Sequence, residues 1–200
     1  MKHVQIRTTG SEKTCYTVAL AVTYTGQKLP AMLIWPSQGK KTMNGPVPDN
    51  VYLAHRPTSW MDTELMKKWV NDILSKRTRK LKEGKKGLVI FDGFRAHLQD
   101  EVTKLIAKCN FDVKVLPPYT TPHLQPLDIA VNRVFKSQYS QRWEQWISKR
   151  AAEDRTRPSK DRVIEWVSKA WEGVSEENIL NGWRTYTEYH QNMRLQGKIP

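Results

Sequence analysis

Four consecutive apolar residues, Leu88-Val89-Ile90-Phe91, run directly into Asp92-Gly93. A short apolar run closed by a turn-forming pair reads as a buried strand. A helix-period stretch follows from Asp100 to Lys108, with Val102, Leu105 and Ile106 on one face. Val113-Lys114-Val115-Leu116 then reads as a second strand, stopped by Pro117-Pro118. Strand, helix and strand in that order specify a parallel pair in an α/β sheet. Asp92 is thereby placed at a strand end on a sheet edge, where open α/β sheets carry their sites.

The flanking sequence extends this reading. Val4-Gln5-Ile6-Arg7, Tyr16 to Tyr24, Leu29 to Trp35 and Val51 to Ala54 read as strands, and Thr25-Gly26-Gln27-Lys28 as a hairpin loop. Thr58-Ser59 is the expected cap of a helix that starts at Trp60 and carries Leu65, Met66, Trp69, Ile73 and Leu74. From Asp128 onward the periodicity is helical, with a break at Arg155-Thr156-Arg157-Pro158 and a further cap at Ser175. The expected organisation is a core over residues 1–150 and a helical extension of the same domain over 151–200. Trp69, Trp143, Trp146, Trp166 and Trp183 fall on apolar helix faces and read as core rather than as a platform for bases. Trp60 reads as a packing residue too.

Lys plus Arg number 33 against 20 acids, a net charge of +13. Such an excess favours a polyanionic partner, nucleic acid above all, through phosphate contacts and counterion release. The two cysteines, Cys15 and Cys109, form no Cys-x-x-Cys pair, so neither a disulfide framework nor a zinc site is expected. No apolar run reaches the length of a membrane span, and no apolar segment of a signal peptide follows Lys2. A reduced compartment is expected, the nucleus in a eukaryote. Lys76 to Lys80 reads either as an import signal or as a solvated loop.

Two acids carry the chemistry. Asp92 ends a strand, and Asp128 follows Pro126 at the first turn of a helix, with 35 residues between them. Carboxylates so placed suit Mg²⁺, a hard ion that prefers oxygen ligands, and paired ions clamp the oxygens of a phosphodiester. The structural alternatives remain open: Asp92 as a loop residue capping the next turn, Asp128 as a helix-start acid favoured by capping and the helix dipole. His97, five residues beyond Asp92, is either a group that orients a metal-bound carboxylate or water, or a packed histidine. Arg95 and the cluster with Lys80, Lys82, Lys85 and Lys86 are candidate phosphate contacts.

Asp92-Gly93-Phe94-Arg95-Ala96-His97, Pro117-Pro118-Tyr119-Thr120-Thr121-Pro122 and Leu124-Gln125-Pro126-Leu127-Asp128 resemble the DDE transposase domain of the pogo/Tigger lineage. Arg7-Thr8-Thr9-Gly10, Lys28-Leu29-Pro30 and Ser59-Trp60-Met61-Asp62 fit the same family in the same order. The resemblance implies an RNase H-like mixed sheet flanked by helices, with carboxyl-terminal helices. It implies a DNA partner, Mg²⁺ or Mn²⁺ as cofactor, and cleavage and strand transfer by three metal-binding acids. Asp92 matches the second acid and Asp128 the third; the first is expected in a strand upstream of Val4. With two of the three acids matched, weak metal binding and no cleavage by these residues alone are expected. The alternative is a catalytically inactive, transposon-derived nuclear protein that binds DNA or protein.

Overall fold

The structure is a computed structural model and describes residues 2–6, 16–36, 45–79, 81, 83–116, 125–150 and 157–196. Arg7 to Gly10, Glu12, Cys15, Lys80, Lys82, Pro117 to Leu124, Arg155 and Thr156 lie outside the described residues, as does the Arg95 side chain. Six strands are described: β1 (Lys2–Ile6), β2 (Tyr16–Leu20), β3 (Ala31–Pro36), β4 (Val51–Arg56), β5 (Gly87–Phe91) and β6 (Phe111–Val115). The helices are α1 (Thr63–Trp69), α2 (Ser75–Thr78), α3 (Asp100–Lys108), α4 (Asn132–Ile147), α5 (Lys160–Glu172) and α6 (Glu176–Leu195). A π-helical turn, Val70–Leu74, joins α1 to α2, and another, Leu127–Val131, leads into α4.

The α/β class with flanking helices is the one the sequence specifies, and it is consistent with an RNase H-like domain. β1, β2 and β3 are successively antiparallel, and β4 adds parallel to β3. β5 and β6 pair in parallel, as the strand–helix–strand pattern requires. One expectation is corrected. Leu88 to Phe91 is a strand but is not buried throughout; among the described residues, β5 and β6 form a two-stranded sheet of their own. β5 accordingly buries one face instead of two. Val89 and Phe91 point into a core, whereas Leu88, on the opposite face, is 60% exposed. An unbroken apolar run therefore does not guarantee burial on both sides.

Two-sided burial belongs to β2 and β3. Their alternating side chains feed two separate clusters. Ala19, Met32 and Ile34 pack with Leu65, Trp69 and Ile73 of the α1 region and with Phe91, Val102 and Ile106. Val18, Leu20 and Leu33 pack on the other side with Leu127 and Phe135 near α4, and with Ile164 and Trp171 of α5. Burial on both faces explains why these strands are apolar throughout rather than alternating.

Local signals fix the ends of the elements. Gly26, at φ +81°, turns the chain between β2 and β3, and Thr23 N–H donates to the Gln27 carbonyl at 2.8 Å. Just beyond, Lys28 Nζ donates to the carbonyls of Trp171, Glu172 and Val174 at 2.7, 3.1 and 2.6 Å. It thereby serves carbonyls at and just beyond the end of α5, where the helical ladder runs out. Ser175 caps α6 in a reciprocal box with Asn178. The cap of α1 differs from expectation. Asp62, not Thr58-Ser59, accepts from Leu65 N–H at 2.9 Å, and α1 starts at Thr63. A carboxylate also pairs with Arg56, which a hydroxyl would not do. Trp60 is left outside the helix and 57% exposed, so it is not a packing residue.

Candidate active site

β5 delivers Asp92 to the rim of the first core, immediately after the fully buried Phe91. Phe94 N–H donates to Asp92 Oδ1 at 3.2 Å, closing an Asx turn. A single 3₁₀ turn, Arg95–His97, then swings His97 back so that Nδ1 lies 2.9 Å from the same oxygen. The His97 ring is completely buried, stacked on Phe91 at 4.5 Å and 23° and edge-on to Phe94 at 5.3 Å. Two aromatic contacts thus fix the ring that faces Asp92.

Burial pushes the Asp92 carboxyl up, but the His97 hydrogen bond and charge, with the Phe94 N–H, outweigh it and hold the group below the usual carboxylate range. Asp92 is therefore ionised at neutral pH, with its side chain 17% exposed. Both contacts fall on Oδ1, so neither uses Oδ2. The capping alternative and the functional one describe the same atom pair: the turn that caps is also the turn that aims the carboxylate.

Asp128 is held in a comparable way. The N–H groups of Asp128 and Ile129 both donate to the Gln125 carbonyl, at 2.9 and 3.1 Å, and start the π turn. Such turns recur at functional sites because they re-aim a side chain within a helix. Asn132 Nδ2 donates to Asp128 Oδ1 at 2.9 Å. Gln125 and Asn132 are buried, at 3% and 6% exposure. Gln125 thus orders the loop, through its own carbonyl. Gly182 of α6 lies against this turn so closely that a Cβ there would meet the Pro126 carbonyl oxygen at 2.8 Å. The glycine lets α6 press on the segment that carries Asp128.

Among the described residues, the structure brings Asp92 together with His97, and Asp128 with Asn132. Phe91, beside Asp92, is anchored in the first cluster and Leu127, beside Asp128, in the second. No group of three His, Cys, Asp or Glu side chains able to hold a metal ion occurs among the described residues. Each carboxylate nonetheless suits a divalent cation: one oxygen is fixed by a side-chain donor, the arrangement that orients metal-ligating carboxylates. Of the candidate phosphate contacts, Lys85 is exposed, and Lys86 pairs with Asp112 at 3.0 Å where both side chains are mostly exposed, a pair of little energetic weight. Sequence reasoning missed Asn132 and Gly182. Asn132 was legible as the residue four positions beyond Asp128 on a helix; Gly182 carried no local signal, because its neighbour is 56 residues away.

Residues 13–183 match the family described as DDE superfamily endonuclease. The chain belongs to that family. The DDE-family chain is also similar to the mouse and human proteins named "Pogo transposable element with KRAB domain", at 27% and 28% identity over 188 residues. Each alignment covers 92% of this chain and 30% of the relative. The human "Pogo transposable element with ZNF domain" is 26% identical over 144 residues, covering 72% of this chain and 10% of the relative. The chain thus spans less than a third of the length of these relatives. The pogo-lineage resemblance read from Asp92–His97 and Leu124–Asp128 is upheld by these matches.

Proposed function

We propose that this DDE-family chain engages DNA through its phosphate backbone and presents Asp92 and Asp128 as two carboxylate ligands for Mg²⁺ or Mn²⁺, in the nucleus. The observation that carries the reading is the Asp92 carboxylate, ionised, held through Oδ1 by a buried histidine and a backbone N–H. A structural cap alone needs only the Phe94 N–H; the His97 contact adds orientation that a carboxylate serving a ligand requires. A divalent ion bound there would stabilise negative charge on phosphate oxygens. The chain's own residues do the rest. His97 fixes the rotamer of Asp92, Asn132 fixes Asp128, and exposed cations such as Lys85 neutralise phosphates. The family relationship supports DNA as the substrate class, and the net charge of +13 suits it.

The test separates metal from DNA. Mn²⁺ binding, followed by the loss of its free electron-spin signal, should weaken in D92N and in D128N. Duplex affinity should fall about a thousandfold or more between 50 and 200 mM salt if six or more phosphates are contacted. Unchanged Mn²⁺ binding in both variants refutes the ligand assignment. DNA binding that persists with no Mn²⁺ binding at all would make the chain a DNA-binding member of the family without a working metal site.

A further inference from the structure

A second cationic site lies on the carboxyl-terminal helices. A cleft of about 600 Å³ opens between α4 and α5. Each helix lines it at the same spacing, with Arg, Trp and Lys in matching places and Gln on one facing Glu's place on the other: Arg142, Gln145, Trp146 and Lys149 on α4 and its exit, Arg162, Glu165, Trp166 and Lys169 on α5. The spacing i, i+3, i+4, i+7 keeps all four residues on one helix face. With Arg150, the cleft gathers five cations against one carboxylate, Glu165.

The tryptophans are its floor, not its ligand. Trp166 is buried and meets Trp143 and Trp146 edge-to-face at 6.0 and 5.7 Å. Trp146 is covered by the Arg150 guanidinium at 4.2 Å, and Arg162 approaches its ring at 6.0 Å. An arginine laid on an indole has its planar guanidinium held in place by the ring, and a guanidinium is the side chain best suited to phosphate oxygens. Lys169 pairs with Glu172 at 3.0 Å, an exposed pair of little energetic weight; the concentration of like charge on two packed helices is an arrangement that a polyanion relieves.

We propose that this cleft is a second DNA-binding site, one that grips the phosphodiester backbone without reading bases. It rests on the reading that the chain engages DNA, but uses residues separate from Asp92, Asp128 and Lys85.

The experiment measures anisotropy of short labelled duplex and single-stranded DNA across a salt series. It compares the wild type, Lys149→Gln/Arg162→Gln, and Lys85→Gln/Lys86→Gln, each checked for an unchanged thermal midpoint. Neutralising one cation on each wall should reduce the steepness of log K against log salt by about 2 for duplex. Single strands should show a loss of the same order, since only the backbone is gripped. An unchanged slope in the cleft variant, with a reduced slope in the Lys85/Lys86 variant, overturns the cleft and leaves the broader DNA reading standing. No DNA binding by the wild type overturns both. Displacement of DNA by polyglutamate as effective as by unlabelled DNA at equal charge would assign the cleft to an acidic protein and overturn the phosphodiester assignment.

Discussion

Replacing His97 separates what holds Asp92 from what fills the core. In His97→Phe the ring volume and the stack on Phe91 survive, but the donor to Asp92 Oδ1 is gone. A well-aligned hydrogen bond to a charged group contributes about 1.5–3 kcal/mol, an upper bound for this contact. The Phe94 N–H still serves the same oxygen, so the low end applies, about 1.5 kcal/mol. For a chain of this size that lowers the thermal midpoint by about 3–6 °C. His97→Ala also removes a fully buried ring between two aromatic neighbours. Adding about 3 kcal/mol for the cavity and lost contacts gives a total of about 4–5 kcal/mol. Urea unfolding followed by circular dichroism measures both, and a cycle with Asp92→Asn isolates the pair. The pH dependence has a defined sign. The folded carboxyl of Asp92 is depressed, so its contribution is fully present above the ordinary carboxylate value of about 4 and is lost as pH falls through the lowered value. The gap between wild type and His97→Phe should therefore close in acid. A His97→Phe protein within about 0.5 kcal/mol of wild type at neutral pH, or a gap that widens in acid, would refute the reasoning.

Gly182→Ala should destabilise the protein by about 1 kcal/mol or more and weaken Mn²⁺ binding, because a Cβ at 2.8 Å from the Pro126 carbonyl forces α6 off the Asp128 turn. Helix propensity alone argues for a gain of about 1 kcal/mol, so a stabilised variant in denaturant titration would show that the contact yields. Burial, aided by the hydroxyl pairing with Tyr139, pushes the Tyr16 phenol up; burial raises Tyr139 to about 12, and burial with the Asp72 hydrogen bond raises Tyr52 to about 12. Stability from these groups is present below the ordinary value of about 10 and is lost as pH rises towards 12; phenolate absorbance should therefore rise together with loss of circular dichroism, and full titration near pH 10 with the fold intact would contradict this. A polypeptide of these 200 residues should not nick supercoiled DNA with Mg²⁺ or Mn²⁺, since it matches two of the three acids; nicking that vanishes in Asp92→Ala would show that two suffice.

Local chemistry was readable from the sequence, and long-range pairing was not. The β2–β3 hairpin, α3, the parallel β5–β6 pair and the Ser175 cap each depend on residues within a few positions or one crossover. The partner of β4 does not: its parallel alignment with β3 is set by packing of α1 and α5 on opposite faces of the same strands. Leu88 misled because composition reports that a strand is apolar, not how many neighbours cover it. Thr58-Ser59 looked like the helix cap because hydroxyls cap, yet Asp62 competes with a stronger acceptor and an arginine partner. At the candidate site the acids were legible as types in a motif and Asn132 as a helical neighbour of Asp128, while Gly182, which seats the Asp128 turn, emerges only when helices are laid against each other.

The turn between β2 and β3 has the outward marks of a tolerant loop: a glycine, polar neighbours, and Tyr24 67% exposed. Anyone choosing a position for an epitope tag, a fluorophore or new chain termini would be drawn to it. Lys28 makes that choice a poor one. Its ammonium grips three carbonyls where α5 gives way to α6, so the short turn acts as a latch on the helical layer. Lengthening the loop by even a few residues slackens the latch, and the layer it would release carries both the cationic cleft and the glycine that seats Asp128. Insertions are better placed elsewhere on the surface, and a graft at Gly26 offers a direct way to loosen that layer without touching a single residue inside it.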